Sequence, residues 1–112
     1  NIHADAAAVN VNFWITPDEA NLNPATGGLV VYDKEAPSEW NFKEYNSDRN
    51  KPKILNWLKD VGAQAVKIPY RTNRAVVFNS DLFHETDDVT FKDDSLSRRI
   101  NITLLYGYRG RG

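Results

Sequence analysis

The chain contains no cysteine and no methionine, and only two histidines among its 112 residues. Without cysteine there is no disulfide framework and no thiolate metal site, so any metal must be held by histidine and carboxylate. That donor set favours a hard or borderline cation over zinc-finger or iron–sulfur chemistry. Charge of one sign is also missing, with 14 Lys+Arg against 15 Asp+Glu. Arg98, Arg99, Arg109 and Arg111 are the only basic cluster, far short of the basic face that nucleic acid requires, so no nucleic-acid partner is expected. No apolar run is long enough to span a bilayer, and no membrane partner is expected. The lack of cysteine does not fix the compartment, and the cytoplasm is the default expectation.

What is present is a series of short β-rich runs separated by turn residues. Ala8 to Ile15 alternates β-branched or aromatic residues with asparagines, the pattern of a strand with two unlike faces. Burial preference places Val9, Val11 and Phe13 in the core and Asn10, Asn12 and Trp14 toward solvent. In the opposite arrangement the asparagines could hydrogen-bond a ligand. A turn at Thr16-Pro17-Asp18-Glu19 and a loop through Asn23-Pro24 and Gly27-Gly28 lead to a second strand, Leu29 to Tyr32. Further strands are expected over Ala65 to Pro69, Ala75 to Asn79, Asp81 to Thr86 and Ile100 to Tyr106.

One segment breaks the β pattern. Pro52 to Val61 spaces Ile54, Leu55, Trp57, Leu58 and Val61 for a helix, with Pro52 suited to its first turn and Gly62 to its stop. A helical turn is also possible around Glu39 to Tyr45. The region of about 36 to 62 reads as an insertion packed on the outside of a β-structure. Trp40, Phe42 and Tyr45 within it are either a lid or a satellite apolar cluster. Several short strands with one inserted helix predict a single all-β domain over residues 1–112, a double-sheet jelly roll.

The candidate chemistry rests on few residues. His3 and Asp5, in His-Ala-Asp, project from one side of an extended chain, and His84 follows the run Ala75 to Asn79 and its turn. Two imidazoles and a carboxylate match the facial triad of non-haem Fe(II), with three protein ligands and three open positions. Taken alone the motif is weak, because Asp5 could simply cap a turn and a lone histidine is often a surface residue. Arg99 opens the last strand fifteen residues after His84, and alternation places Arg99, Asn101 and Thr103 on one face. Such a face either looks at solvent, the commoner case, or binds an anion through the guanidinium fork.

In combination, HADAAAVNVNFWI, GGLVVYD, RAVVFNSDLFHETD and RRINITLLYG resemble the core of the 2-oxoglutarate/Fe(II)-dependent dioxygenases, in their prolyl-hydroxylase-like and phytanoyl-type branches. The resemblance covers nearly the whole chain. It implies a double-stranded β-helix, cupin-like, lacking its first core strand, and a chain that is the C-terminal part of a longer enzyme. It also implies Fe(II) on His3, Asp5 and His84, with 2-oxoglutarate as cosubstrate held by Arg99 and by Asn101 or Thr103. The activity implied is oxidative decarboxylation of 2-oxoglutarate coupled to hydroxylation of a substrate. Asp5 as a ligand leaves no vacancy for halide. The segment from His84 to the arginine is longer than is common in the family, so either Arg98 or Arg99 could face inward. The absent first strand would leave the edge of Ile100 to Tyr106 exposed, and a homo-oligomer through that edge is expected. The rival expectations are a cupin-like metal enzyme that does not use 2-oxoglutarate, and a non-catalytic jelly-roll binding module. Tyr32, on the second strand, is a further candidate contact.

Overall fold

The computed structural model describes residues 2–4, 7–37, 40 and 51–107. Six strands form in chain order: β1 (Val9–Trp14), β2 (Leu29–Glu35), β3 (Ala65–Ile68), β4 (Ala75–Asn79), β5 (Leu82–Thr86) and β6 (Asn101–Tyr106). A short 3-10 turn spans Asp18–Ala20, and one α-helix, α1 (Lys51–Asp60), lies between β2 and β3. The strands form two antiparallel sheets of three, in the orders β4-β1-β6 and β3-β2-β5. From β4 onward each strand lies in the other sheet from the one before it. The mostly-β expectation with one inserted helix is met, and each strand lies within a residue or two of its expected span, apart from the longer β2. The possible turn at Glu39 to Tyr45 lies outside the described residues, apart from Trp40.

The inner faces of the two sheets meet in one apolar cluster. Trp14, Leu29, Val31 and Tyr70 are its buried members, with Ile68, Val76, Phe78, Leu82 and Phe91 packed around them. The orientation of β1 reverses the burial-based expectation. Asn10, at 1 % exposure, Asn12, at 7 %, and Trp14 point inward, while Val9, Val11 and Phe13 are only half-buried on the outer side. Pairing explains the reversal. Asn10 lies opposite Phe78 and Leu105, Asn12 opposite Val76 and Thr103, and Trp14 opposite Asn101. The asparagines therefore share a face with the aromatic and polar residues that look across at the second sheet. Two-residue alternation decides which residues travel together, and pairing decides which way the set points.

The outer face of β3-β2-β5 is covered by α1. Ile54 and Leu58 pack with Ile2, Ala4, Ala36 and Phe83 in a second core, flanked by Tyr32, Trp40, Trp57 and Ala63. The helix ends as Gly62 predicts. Gly62 takes φ +69°, its N–H donates to the Lys59 carbonyl, and the Ala63 N–H reaches back to the Leu58 carbonyl at 2.9 Å. This is a Schellman closure with Ala63 and Leu58 in the same apolar cluster. Trp40 packs on Trp57 and Phe83, with ring centroids 5.7 Å and 6.2 Å away, so it belongs to this satellite core. Phe42 and Tyr45 lie outside the described residues. No helix among the described residues is long and apolar enough to cross a membrane.

Among the described residues, none covers the outer face of β4-β1-β6 in this way. Val77, Ile102 and Leu104 are 64 %, 45 % and 43 % exposed, and β6 is an outer strand with every residue exposed.

Candidate metal and carboxylate site

The two histidines, 81 positions apart in sequence, lie side by side. His3 pairs with His84 as an isolated antiparallel bridge, the His3 N–H donating to the His84 carbonyl at 3.0 Å and the reverse bond at 2.9 Å. His84 comes from β5, where alternation sends Phe83 to the helix-side core and His84 to the interior at 4 % exposure. The ring centroids of His3 and His84 are 4.3 Å apart and tilted by 59°. Phe78 packs edge-on against His84 at 4.8 Å. His84 Nδ1 lies 2.9 Å from the Leu82 carbonyl. A carbonyl only accepts, so in that contact Nδ1 carries the proton and Nε2 of the neutral ring carries the lone pair.

Asp5, the expected third ligand, lies outside the described residues. Among the described residues no group of three or more His, Cys, Asp or Glu side chains is placed to hold a metal ion.

A cavity of about 160 Å³ opens beside the histidines, lined by His3, His84, Asn10, Asn12, Asn101 and Thr103 together with Leu29 and Thr86. It lies between the β6 side of one sheet and the β5 side of the other. A continuous line of amides runs along it. Asn12 Nδ2 donates to Asn10 Oδ1 at 2.6 Å, and Asn101 Nδ2 donates to Asn12 Oδ1 at 3.3 Å and to Thr103 Oγ1 at 3.0 Å.

Arg99 stands at the far end of that line. Its Nη1 donates to Asn101 Oδ1 at 3.2 Å, its Nε to the Gly27 carbonyl at 2.6 Å, and its Nη2 to the Gly28 carbonyl at 3.4 Å. The guanidinium lies 5.8 Å from the Trp14 ring and 5.6 Å from the Tyr70 ring, which stack on each other at 5.3 Å and 22°. Burial draws the Arg99 pKa below its ordinary value, opposed by the neighbouring Tyr70. The same burial raises Tyr70, with its bond to Thr16 and the Arg99 charge working the other way. The Trp14 indole N–H is buried with no hydrogen-bond partner.

The choice between the two arginines falls on Arg99, which is half-buried while Arg98 is exposed. The reading of Arg99 as a plain surface charge is corrected, because its side chain lies between the Gly27 and Gly28 carbonyls and the Trp14–Tyr70 stack. Tyr32 is also corrected. It lies with the helix-side core, its hydroxyl donating to Glu85 Oε1 at 2.9 Å, away from the cavity. Thr16, Tyr70 and the two glycine carbonyls were not legible as site residues. Backbone carbonyls leave no mark in a sequence, and Thr16 reads only as a turn. The aromatic Tyr70 directly after Ile68-Pro69 was the one available signal.

No family model, curated protein or solved structure matches this chain.

Proposed function

We propose that this chain is the double-stranded β-helix core of an Fe(II)- and 2-oxoglutarate-dependent oxygenase. His3, Asp5 and His84 hold the metal, Arg99 pairs with the far carboxylate of 2-oxoglutarate, and Asn101 and Thr103 supply hydrogen bonds between them. One observation carries the reading. A polar line that starts at the buried Asn10 and Asn12 beside a pair of apposed histidines, and continues through the exposed Asn101, ends on a half-buried arginine lying over two aromatic rings.

The donor chemistry fits both ends. Two imidazoles at contact distance, one with its Nδ1 on a carbonyl, are suited to a borderline cation. At the other end an Arg fork and a buried indole N–H without an acceptor are suited to a carboxylate. His84 packs against Phe78, which is paired with Asn10, whereas Arg99 lies against Trp14. Asn10 and Trp14 are four residues apart on one strand, or about 13 Å. A ligand chelated at one end and ion-paired at the other would carry two separated anionic ends, as a five-carbon 2-oxo diacid does.

Bound iron would supply dioxygen activation and the oxidative decarboxylation of 2-oxoglutarate to succinate and carbon dioxide, coupled to substrate hydroxylation. The chain's own groups orient and shield. The Leu82 carbonyl holds the His84 ring in one tautomer, Phe78 and Leu29 restrict water, and Arg99 fixes the distal end of the cosubstrate. Self-association through the outer strand β6 belongs to the same proposal, and a monomeric mass by light scattering with full activity overturns it.

Anaerobic titration with Fe(II) and 2-oxoglutarate tests the site. Wild-type protein should develop a weak visible charge-transfer band that is lost in His84→Ala. A flat spectrum from folded wild type favours a non-catalytic binding module. Unchanged 2-oxoglutarate affinity in Arg99→Ala favours a cupin-like metal enzyme that does without that cosubstrate.

A further inference from the structure

Nothing in the chemistry of two adjacent arginines determines which one enters the sandwich. The determinant lies 82 residues upstream of Arg98. Thr16, 3 % exposed, lies two residues beyond the end of β1. Its hydroxyl donates to the Arg98 carbonyl at 2.5 Å and accepts from the Ile100 N–H at 2.8 Å. Both peptide groups flanking Arg99 are thus bound by one oxygen. The Thr16 carbonyl in turn accepts from the Tyr70 hydroxyl at 2.6 Å, and the Tyr70 ring faces the guanidinium. Three Arg99 donors are committed, to Gly27, Gly28 and Asn101. A guanidinium has five N–H groups, which leaves two for an anion.

We propose that Thr16 and Tyr70 are positioning residues that fix the depth of the Arg99 guanidinium, and so set the site's selectivity for a 2-oxo diacid over a 2-oxo monoacid. The inference rests on the proposed role of Arg99 and extends it to residues that touch neither metal nor cosubstrate. A hydroxyl that clamps two backbone groups at once admits little rotation of the residue between them. A carboxylate that must reach Arg99 is sensitive to that position, and a 2-oxo acid too short to reach it is indifferent.

The test is calorimetric titration of Mn(II)-loaded protein with 2-oxoglutarate and, separately, with 2-oxobutyrate, which has the chelating end but no distal carboxylate. Thr16→Val should weaken 2-oxoglutarate about tenfold, the loss of roughly one charge-assisted hydrogen bond, and leave 2-oxobutyrate within about twofold. Thr16→Ser, which keeps the hydroxyl, should restore the wild-type ratio. An unchanged ratio in Thr16→Val, or an equal loss for both acids, overturns the positioning role. If Thr16→Val does not fold, Tyr70→Phe takes its place. It removes one hydroxyl and keeps the ring, and should lower the ratio severalfold, whereas an unchanged ratio overturns the proposal. Arg99→Ala separates this inference from the reading beneath it. If that variant binds 2-oxoglutarate as wild type does, the carboxylate role of Arg99 falls. If it loses the diacid while Thr16→Val keeps it, only the clamp falls.

Discussion

The two sheets use their faces in opposite ways. In β3-β2-β5 the outer face is apolar and closed by α1, with Ile54 and Phe83 fully buried. In β4-β1-β6 the inner face carries the buried Asn10 and Asn12, with Asn101 and Thr103 beside them on the exposed strand β6, while Val77, Ile102 and Leu104 face outward and are exposed. A sheet that turns amides inward and valines outward is working against burial preference. Buried amides are tolerated because each hydrogen-bonds along the line that ends on Arg99. One sheet packs apolar residues on both faces, and the other divides its inner face between apolar packing and buried amides.

The largest expected contrast comes from putting the same charge on both outer faces. Ile54→Lys should unfold the chain or cost about 4 kcal/mol, because it buries an unpaired ammonium. Ile102→Lys should stay within about 0.5 kcal/mol in urea melts, as an exposed substitution does. Equal losses would mean that the β4-β1-β6 face is covered in solution.

Gly28→Ala comes next, and it probes the packed sheet from its edge. A Cβ there would meet the Ile68 carbonyl at 1.9 Å and the Tyr70 N at 2.8 Å, so strand and loop must separate. A loss of about 3 kcal/mol is expected in the same melts. Diacid binding should weaken as well, because the Gly27 and Gly28 carbonyls tether Arg99.

Replacing the amides together, as Asn10→Leu with Asn12→Val, should break the polar interior without breaking the fold. Exchanging both partners of a buried hydrogen bond for apolar groups is close to neutral, and stability should rise or stay within about 1 kcal/mol. The Fe(II)–2-oxoglutarate band should be lost or weakened. Marked destabilisation with the band intact would make the asparagines structural.

The smallest effect concerns the helix-side face. Burial, then the hydrogen bond to Glu85 and its charge, push the Tyr32 pKa from 10.0 up to about 12. The folded state therefore keeps the proton that the unfolded chain releases. The stabilisation is complete below pH 10 and is lost as pH rises through about 12. Tyr32→Phe should flatten that alkaline decline in melting temperature, and an unchanged decline would assign it to other groups.

Much of this organisation was legible in the sequence. Ala75 to Asn79 was expected as a strand and is β4, and the helix expected over Pro52 to Val61 spans Lys51–Asp60. These are local matters of period and capping, set by backbone geometry within a few residues. The direction of β1 was not legible. Alternating valine and asparagine announces two unlike faces, but only pairing with β4 and β6 turns the asparagines inward. Tyr32 was misplaced for the same reason, since alternation on β2 does not say which side α1 will cover.

The sequence by itself determined the residue inventory. It contains two histidines, no cysteine, an Arg-Arg step opening the last strand, and runs whose two-residue and helical periods are dictated by chain geometry. The tertiary structure decided which of these meet. It set His3 against His84 through a single backbone bridge, and it turned Arg99 inward through the Thr16 hydroxyl. Hydrogen bonds between residues more than eighty positions apart depend on how the strands are ordered in the sheets, and local pattern carries no record of that order.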